Sequence, residues 1–500
     1  MAADYKTPGV YIEEVTKFPP SVAQVDTAIP AFIGHTEKAD RNGTDLHLTP
    51  TRTTSLLEYE QLFGGAQREE NIEIAIEEEL DLDGRVASRN VRAKLDERKK
   101  SKHNMYYALQ MFYMNGGGPC YIVSTGGYDR VGTPIDSAKL LQGLAPLEKE
   151  DEVTLILFPE GQNIESEASY HSLQQQSLAQ CGNLKNRFAV MDIHTTVQGF
   201  RDGIGNRFLS YGAAYYPNLI TTLTYEFDAS KIKVMHSLSG GPVKTSPPPP
   251  PPPAAEGDGK KDKGADKPAP QSGGGSKGEF DGKTLADVMA KNNSIYAQAV
   301  REIRKLPLSL PPSSAATGIY AAVDSTRGVW KAPANVTLNS TAGLTVKIND
   351  AQQESLNVDT TAGKSINAMR IFTGRGIMLW GARTLAGNDN EWRYVSVRRF
   401  FIMIEESVKR ASMQFVFEPN DAGTWIRVRA MIENYLTLQW RAGALAGAKA
   451  ENAFYVKLGL GETMTALDIL EGRMIIEIGM AVVRPAEFII LRFSHKMQEA

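Results

Sequence analysis

Seven consecutive prolines, Pro247 to Pro253, constrain the fold of this 500-residue chain more than any other feature. Proline fixes φ and offers no amide N–H, so neither a helix interior nor a central strand can run through them. Such a run favours a stiff polyproline II rod of roughly 22 Å, at about 3.1 Å per residue. The stretch that follows, AAEGDGKKDKGADKPAPQSGGGSKG, holds almost no large apolar group and cannot offset the entropy of ordering it. Residues 240–280 are therefore expected to form a disordered Pro/Gly-rich insertion outside the packed fold. A segment that recruits a proline-reading partner is the alternative.

The remainder is long enough for two to four domains. A formal net charge of −3 argues against a nucleic-acid partner. No run of about 18 apolar residues exists, so direct membrane insertion is not expected. The opening MAADYKTPG has neither a basic nor an apolar leader region, and no secretory signal is expected. Cys120 and Cys181 suggest no disulfide framework, and point to a reducing compartment.

Hydrophobic patterning predicts a mixed α/β (α+β) fold. AIPAFIGHT (28–36), EVTLILFPE (152–160) and NRFAVMDIH (186–194) read as buried strands. Residues 103–125 read as a helix stopped by Gly116–Gly118, then a strand from about Cys120, and another helix is expected near 168–181. Residues 68–102, densely charged, read as a solvated surface excursion, helical in part. In 392–420 the residues Tyr394, Val397, Phe401, Ile404 and Val408 mark one helical face. Arg393, Arg398, Arg399, Glu405, Glu406, Lys409 and Arg410 fall opposite, with Glu405–Lys409 and Glu406–Arg410 in the favourable i,i+4 order. MQFVFEP then reads as a strand. A second helix is expected over 422–442, capped by Asn420-Asp421 and stopped near Gly443. Two strands, RMIIEIGMAVV and AEFIILRFS, close the chain.

No motif for catalysis survives inspection. Gly282-Lys283-Thr284 and Gly363-Lys364-Ser365 end like phosphate-binding loops, but the required upstream glycines are Lys277 and Val358. GGSKG (274–278) matches a nucleophile elbow only formally, because Ser276 lies in low-complexity sequence with no strand before it or helix after it. GIGNRF (203–208) has Phe208 where a dinucleotide loop needs its third glycine. The seven histidines show no ligand spacing, so no metal or other cofactor is expected.

The opening TPGVYIEEV poses a different problem. Val10 to Val15 form a β-type segment cut off by Pro19-Pro20, and a strand alone leaves its backbone groups unpaired. This stretch and AFIGHT (31–36) resemble the start of contractile tail sheath proteins. LPPSSAATGIYAAVDSTRGVWKAPAN (310–335) resembles their central signature, through Asp324, Gly328, Trp330, Pro333, Ala334 and Asn335. SINAMRIFTGRGIMLWGARTL (365–385, with Trp380 and Gly381), WRYVSVRRFFIMIEESV (392–408, with Trp392, Arg393 and Tyr394), FEPND (417–421) and VRPAEFIILRF (483–493) complete the pattern.

The resemblance implies a multidomain sheath subunit whose core domain joins N-terminal and C-terminal segments. It would comprise an N-terminal arm (1–25), a core (26–40 and 360–480), inserted outer α/β domains (41–359) and a C-terminal arm (481–500). The charged excursion and the proline-rich insertion would decorate the outer domains. Val10, Tyr11, Ile12 and Val15, with Phe488, Ile489, Ile490, Leu491 and Phe493, would be strands donated to neighbouring copies. Pairing of the first and last strands within one chain is the alternative. The implied function is a helical homopolymer around an inner tube, contracting to drive the tube through an envelope. The implied partners are other copies, the tube protein, baseplate and terminator or cap proteins, and sheath paralogues. Assembly in a bacterial cytoplasm, as part of a phage tail or tail-like particle, would follow. Arg393, Arg398, Arg399, Arg427 and Arg429 are candidates to face the tube, or else belong to solvated helix faces. A non-contracting cap or initiator is the rival reading, and a hydrolase built on Ser276 is disfavoured.

Overall fold

The computed structural model describes residues 21–240 and 276–491. Its centre is a nine-stranded sheet in the order Val336–Thr337, Gly376–Trp380, Ile366–Phe372, Gly212–Tyr216, Phe188–Asp192, Leu155–Leu157, Pro30–Gly34, Cys120–Ser124, Thr51–Thr53. The middle strands from Ile366–Phe372 to Cys120–Ser124 run parallel, and the outer ones pair antiparallel. Parallel strands need crossovers and covered faces. Accordingly Pro30–Gly34, Cys120–Ser124, Leu155–Leu157 and Phe188–Asp192 are buried along their whole length. Helix Glu167–Leu184, capped by the Ser166 side chain, crosses between two of them. Helix Met105–Met114 packs on helix Ser313–Arg327. Their close approach depends on Gly318, where a Cβ would come within 2.5 Å of the Phe112 carbonyl oxygen.

This sheet takes strands from both sides of residues 41 and 359. The expected boundary between a core (26–40, 360–480) and an insertion (41–359) is therefore not followed. Chain-distant strands are joined because their apolar runs need two covered faces, which neither segment supplies alone.

Helices Val395–Ser412 and Ala422–Arg441 build a second core with strands Phe454–Lys457 and Glu477–Met480. Phe400, Met403, Ile404, Val428, Ile432 and Leu436 fill it, with Val22 and Val25 from the start of the described chain packed against it. The Val25 amide donates to Ser407 Oγ at 3.1 Å, so N-terminal and C-terminal segments do meet here. Helix Val395–Ser412 is shared, giving Val395 and Ile402 to the first core and Phe400 and Met403 to the second. Three local expectations need correction. MQFVFEP opens on a 3-10 turn, Met413–Phe415, that continues helix Val395–Ser412, and among the described residues no strand pairs with it. Lys409 meets Glu406 at 3.2 Å instead of Glu405, whereas the Glu406–Arg410 pair forms at 2.8 Å. Residues 486–491 adopt no strand among the described residues.

A third unit corrects the reading of 68–102. Ile72–Leu80 and Val86–Leu95 form an antiparallel hairpin with no helix. The alternation of Ile72, Ile74 and Ile76 with Glu73, Ala75 and Glu77 places the isoleucines inward, a period of two hidden among the charges. Lys233–Gly240 joins parallel, and helices Leu285–Lys291 and Asn293–Ile303 complete the small core. The prolines lie outside the described residues, but the chain on either side of 241–275 pairs with itself, Ser237 with Lys277 and Leu238 with Ser276. Ser276 sits on an exposed two-residue edge strand followed by a turn, which is not elbow geometry.

Candidate assembly interface

The signature residues lie on the seams between units. Asp324, near the end of helix Ser313–Arg327, takes a bidentate bond from Arg399 (3.0 and 2.5 Å) and one from Thr27 Oγ1 (2.6 Å). Arg399 also donates to the Thr27 carbonyl at 2.7 Å and lies 4.6 Å from the Tyr320 ring centroid. This ties the N-terminal segment to helices of both cores. Gly328, at φ 88°, ends its helix where a Cβ would strike the Trp330 ring, and Trp330 meets Phe400 edge-on at 6.3 Å. Pro333 is buried, and Asn335, at φ 63°, accepts from Arg375. Trp380 packs on Phe372 at 4.4 Å, and a Cβ on Gly381 would lie 2.8 Å from Asn367 Oδ1. Trp392 packs on Phe401 at 4.9 Å.

The basic residues separate into two kinds. Arg398 and Arg399 are only 5% and 3% exposed, which corrects their placement on a solvated or tube-facing surface. Arg398 is held by the Tyr211 hydroxyl, stacks 4.0 Å over that ring and 4.3 Å over Trp392, and lies 3.8 Å from Glu405. A helix wedged between two cores has no solvated face at these positions. Arg393, Arg427 and Arg429 reach the surface. Arg393 donates to Asn390, Arg427 pairs with Glu418 at 3.2 Å, and Arg429 with Glu462 at 2.8 Å.

The C-terminal extension leaves the body beside a cleft of about 1130 Å³, lined by Trp330, Trp380, Tyr394, Phe488 and Ile489 among others. Arg484 donates to the Asn390 carbonyl at 2.7 Å. Glu487 receives Arg383 Nε (2.9 Å) and Nη2 (2.6 Å), Asn357 Nδ2 (2.8 Å) and the Tyr394 hydroxyl (3.1 Å). Burial pushes its carboxyl up, but the bonds from Arg383 and Asn357 outweigh this and hold it below the usual range. Directly beyond it, Phe488, Ile489, Ile490 and Leu491 are 70–79% exposed. Val10, Tyr11, Ile12, Val15 and Phe493 lie outside the described residues.

One titratable cluster was not visible in the sequence, because strands distant in the chain assemble it. His35 Nδ1 lies 2.8 Å from Glu160 Oε2, and His103 Nδ1 lies 3.2 Å from Oε1. The His35 amide also donates to Oε2, at 3.1 Å. The Asp129 amide donates to His103 Nε2, so the network assigns the His103 proton to Nδ1, facing Glu160. A cation held by these three residues would displace that proton and leave an N–H opposing the Asp129 amide. The donor set fits a hydrogen-bonded carboxylate and not a metal centre. Burial raises the Glu160 carboxyl, and bonds from His103 and His35 overcome it and hold the group below its ordinary value.

Among the described residues, α/β layers are joined to a two-helix unit through ion-paired seams, Asp324–Arg399 the tightest of them. The model of the phage tail sheath C-terminal domain matches residues 387–496. The tail sheath protein of Burkholderia phage BcepMu is 31% identical over 162 residues, which span 32% of that relative's length. Solved structures extend the likeness to nearly the whole chain. The anti-feeding prophage helical sheath in its contracted state is 29% identical, with 98% of this chain and 100% of that chain covered at a TM-score of 0.62. The contracted sheath complex of the PVC extracellular contractile injection system is 28% identical, with 99% of each chain covered at a TM-score of 0.59. Residues 387–496 match the sheath C-terminal domain, and nearly the whole chain is similar to contractile sheath subunits.

Proposed function

We propose that this chain is the sheath subunit of a contractile injection apparatus, polymerising helically around an inner tube and contracting to drive it through a target envelope. The observation that carries this is the likeness, over almost its whole length, to a helical sheath solved in the contracted state. Other copies and a baseplate are the first partners. The inner tube protein, cap or terminator proteins and sheath paralogues extend the set. Contraction draws on subunit contacts stored at assembly, and requires neither catalysis nor a cofactor. Assembly takes place in a bacterial cytoplasm.

The terminal segments act as arms in this reading. Phe454–Lys457 and Glu477–Met480 form a two-stranded sheet packed on the second core, and among the described residues no further strand pairs with its edges, where an added one could join. An arm from a neighbour would supply it through main-chain hydrogen bonds, each contributing about 0.5–1.5 kcal/mol net. Arg393, Arg427 and Arg429 remain the surface cations available to a tube; a polar, breakable contact suits a sheath that must let go. Negative-stain electron microscopy of the purified chain beside a version lacking residues 1–20 tests this reading. Hollow tubes from the full chain, lost on truncation, are expected. Concentration-independent monomers from both, even with tube and baseplate supplied, would overturn it.

A further inference from the structure

Glu487 marks an abrupt change along the chain. Its carboxylate is met by donors from three separate places: Arg383 beyond strand Gly376–Trp380, Asn357 at the end of helix Asp350–Asn357, and Tyr394 at the head of helix Val395–Ser412. Arg383 is 4% exposed and directs Nε and Nη2 at Glu487, with Nη1 on the Asn357 carbonyl at 3.0 Å. Its backbone is fixed in turn, since its amide donates to Asn367 Oδ1 at 2.8 Å. The next four residues are apolar and exposed. A tail packed only for its own subunit's stability would bury Phe488, Ile489, Ile490 and Leu491; here the polar side chain is the anchored one, 22% exposed and held by buried Arg383, and the apolar ones are left open.

We propose that the Arg383–Glu487 pair is a fixed root from which the C-terminal extension is held out to a second copy of the chain. This rests on the sheath reading above. Bidentate geometry fixes direction as well as position, because a guanidinium fork meets a carboxylate in one plane. A neighbour therefore meets an extension whose starting point is already set, and less ordering remains to be done on association. Glu487 is a positioning residue in this scheme: it orients the segment that makes contact.

The test uses the full-length chain with E487A, E487Q, R383E and the charge reversal R383E/E487R. The mobility of a spin label at position 490 (I490C, made in each background for this measurement only, with Cys120 and Cys181 buried) is followed in unassembled protein, and the critical concentration for tubes by sedimentation and electron microscopy. E487A is expected to shorten the label's correlation time at least threefold and to raise the critical concentration at least tenfold; the thermal transition of the body, which loses the partner of buried Arg383, is recorded beside them. E487Q should fall between E487A and wild type. The reversal should recover both readouts relative to R383E, which a loss of body stability alone would not explain. E487A whose label moves and which assembles like wild type would overturn the proposal, as would a folded reversal variant that recovers neither readout. A wild-type chain that forms no polymer overturns the sheath reading instead, and the label's mobility still decides whether Glu487 fixes the extension.

Discussion

Glu160 shows how much one carboxylate can hold together. Removing it by E160A orphans three buried donors at once: the His35 amide, His35 Nδ1–H and His103 Nδ1–H. Each buried donor left without a partner costs about 1–3 kcal/mol, so a loss of at least about 3 kcal/mol is expected by chemical denaturation. Asp192 works in the opposite sense. Burial pushes its carboxyl up to about 7, against the opposing pull of Ser313, whose amide and hydroxyl donate to it at 2.8 and 2.6 Å. A folded pKa above the unfolded value of about 3.9 means that the native state holds the proton more tightly. The stability this contributes is complete below about 3.9 and is lost as pH rises to about 7. Glu69, raised to about 7 chiefly by burial, adds a loss in the same window. The depressed carboxyls Glu160 and Glu487 act at lower pH, below the unfolded value, where protonation weakens their pairs. Denaturation midpoints should therefore fall between pH 4 and 7, and the fall should be shallower in D192N.

Between elements, the tightest fit is that of helices Met105–Met114 and Ser313–Arg327. Gly318→Val would drive a branched side chain into the Phe112 carbonyl and is expected to cost about 1–3 kcal/mol, read from the melting transition. The outer hairpin makes a contrasting prediction. Because Ser237 pairs with Lys277 and Leu238 with Ser276, replacing 241–275 by a short Asn-Gly turn should leave the thermal transition unchanged. Tube assembly, scored by electron microscopy, should survive as well. How legible these elements are depends on where their signal resides. Strand Pro30–Gly34 and helix Ala422–Arg441 could be read directly, because a run of buried apolar residues or an Asp421 cap is local information. The hairpin 72–95 was obscured by its charge, although Ile72, Ile74 and Ile76 carried the correct period of two. The sequence of helix Val395–Ser412 suggests one solvated face, because one amphipathic stripe gives no sign that a second core covers the other side. Arg398 and Arg399 look like surface residues until Tyr211 and Asp324, far away in the chain, are brought to them.

At the scale of the molecule, the sequence motifs mark joints between layers. Asp324, Gly328 and Trp330 connect the two cores, while Tyr394 reaches Glu487 at the foot of the C-terminal extension. The division into core and insertion could not be read from the chain, because a nine-stranded sheet gathers strands from residues 30 to 380 and adjacency in it is not adjacency in sequence. The Arg383–Glu487 contact was equally invisible, a pair 104 residues apart with no periodic signal. The return of the chain to one sheet edge on either side of 241–275 has a practical meaning. Gly240 and Ser276 form a ready-made grafting port at the exposed end of this strand pair. A fluorescent or affinity module spliced there would leave the seams untouched, and in the proposed sheath it would mark every subunit, so that particles could be counted, and their shortening timed, by light.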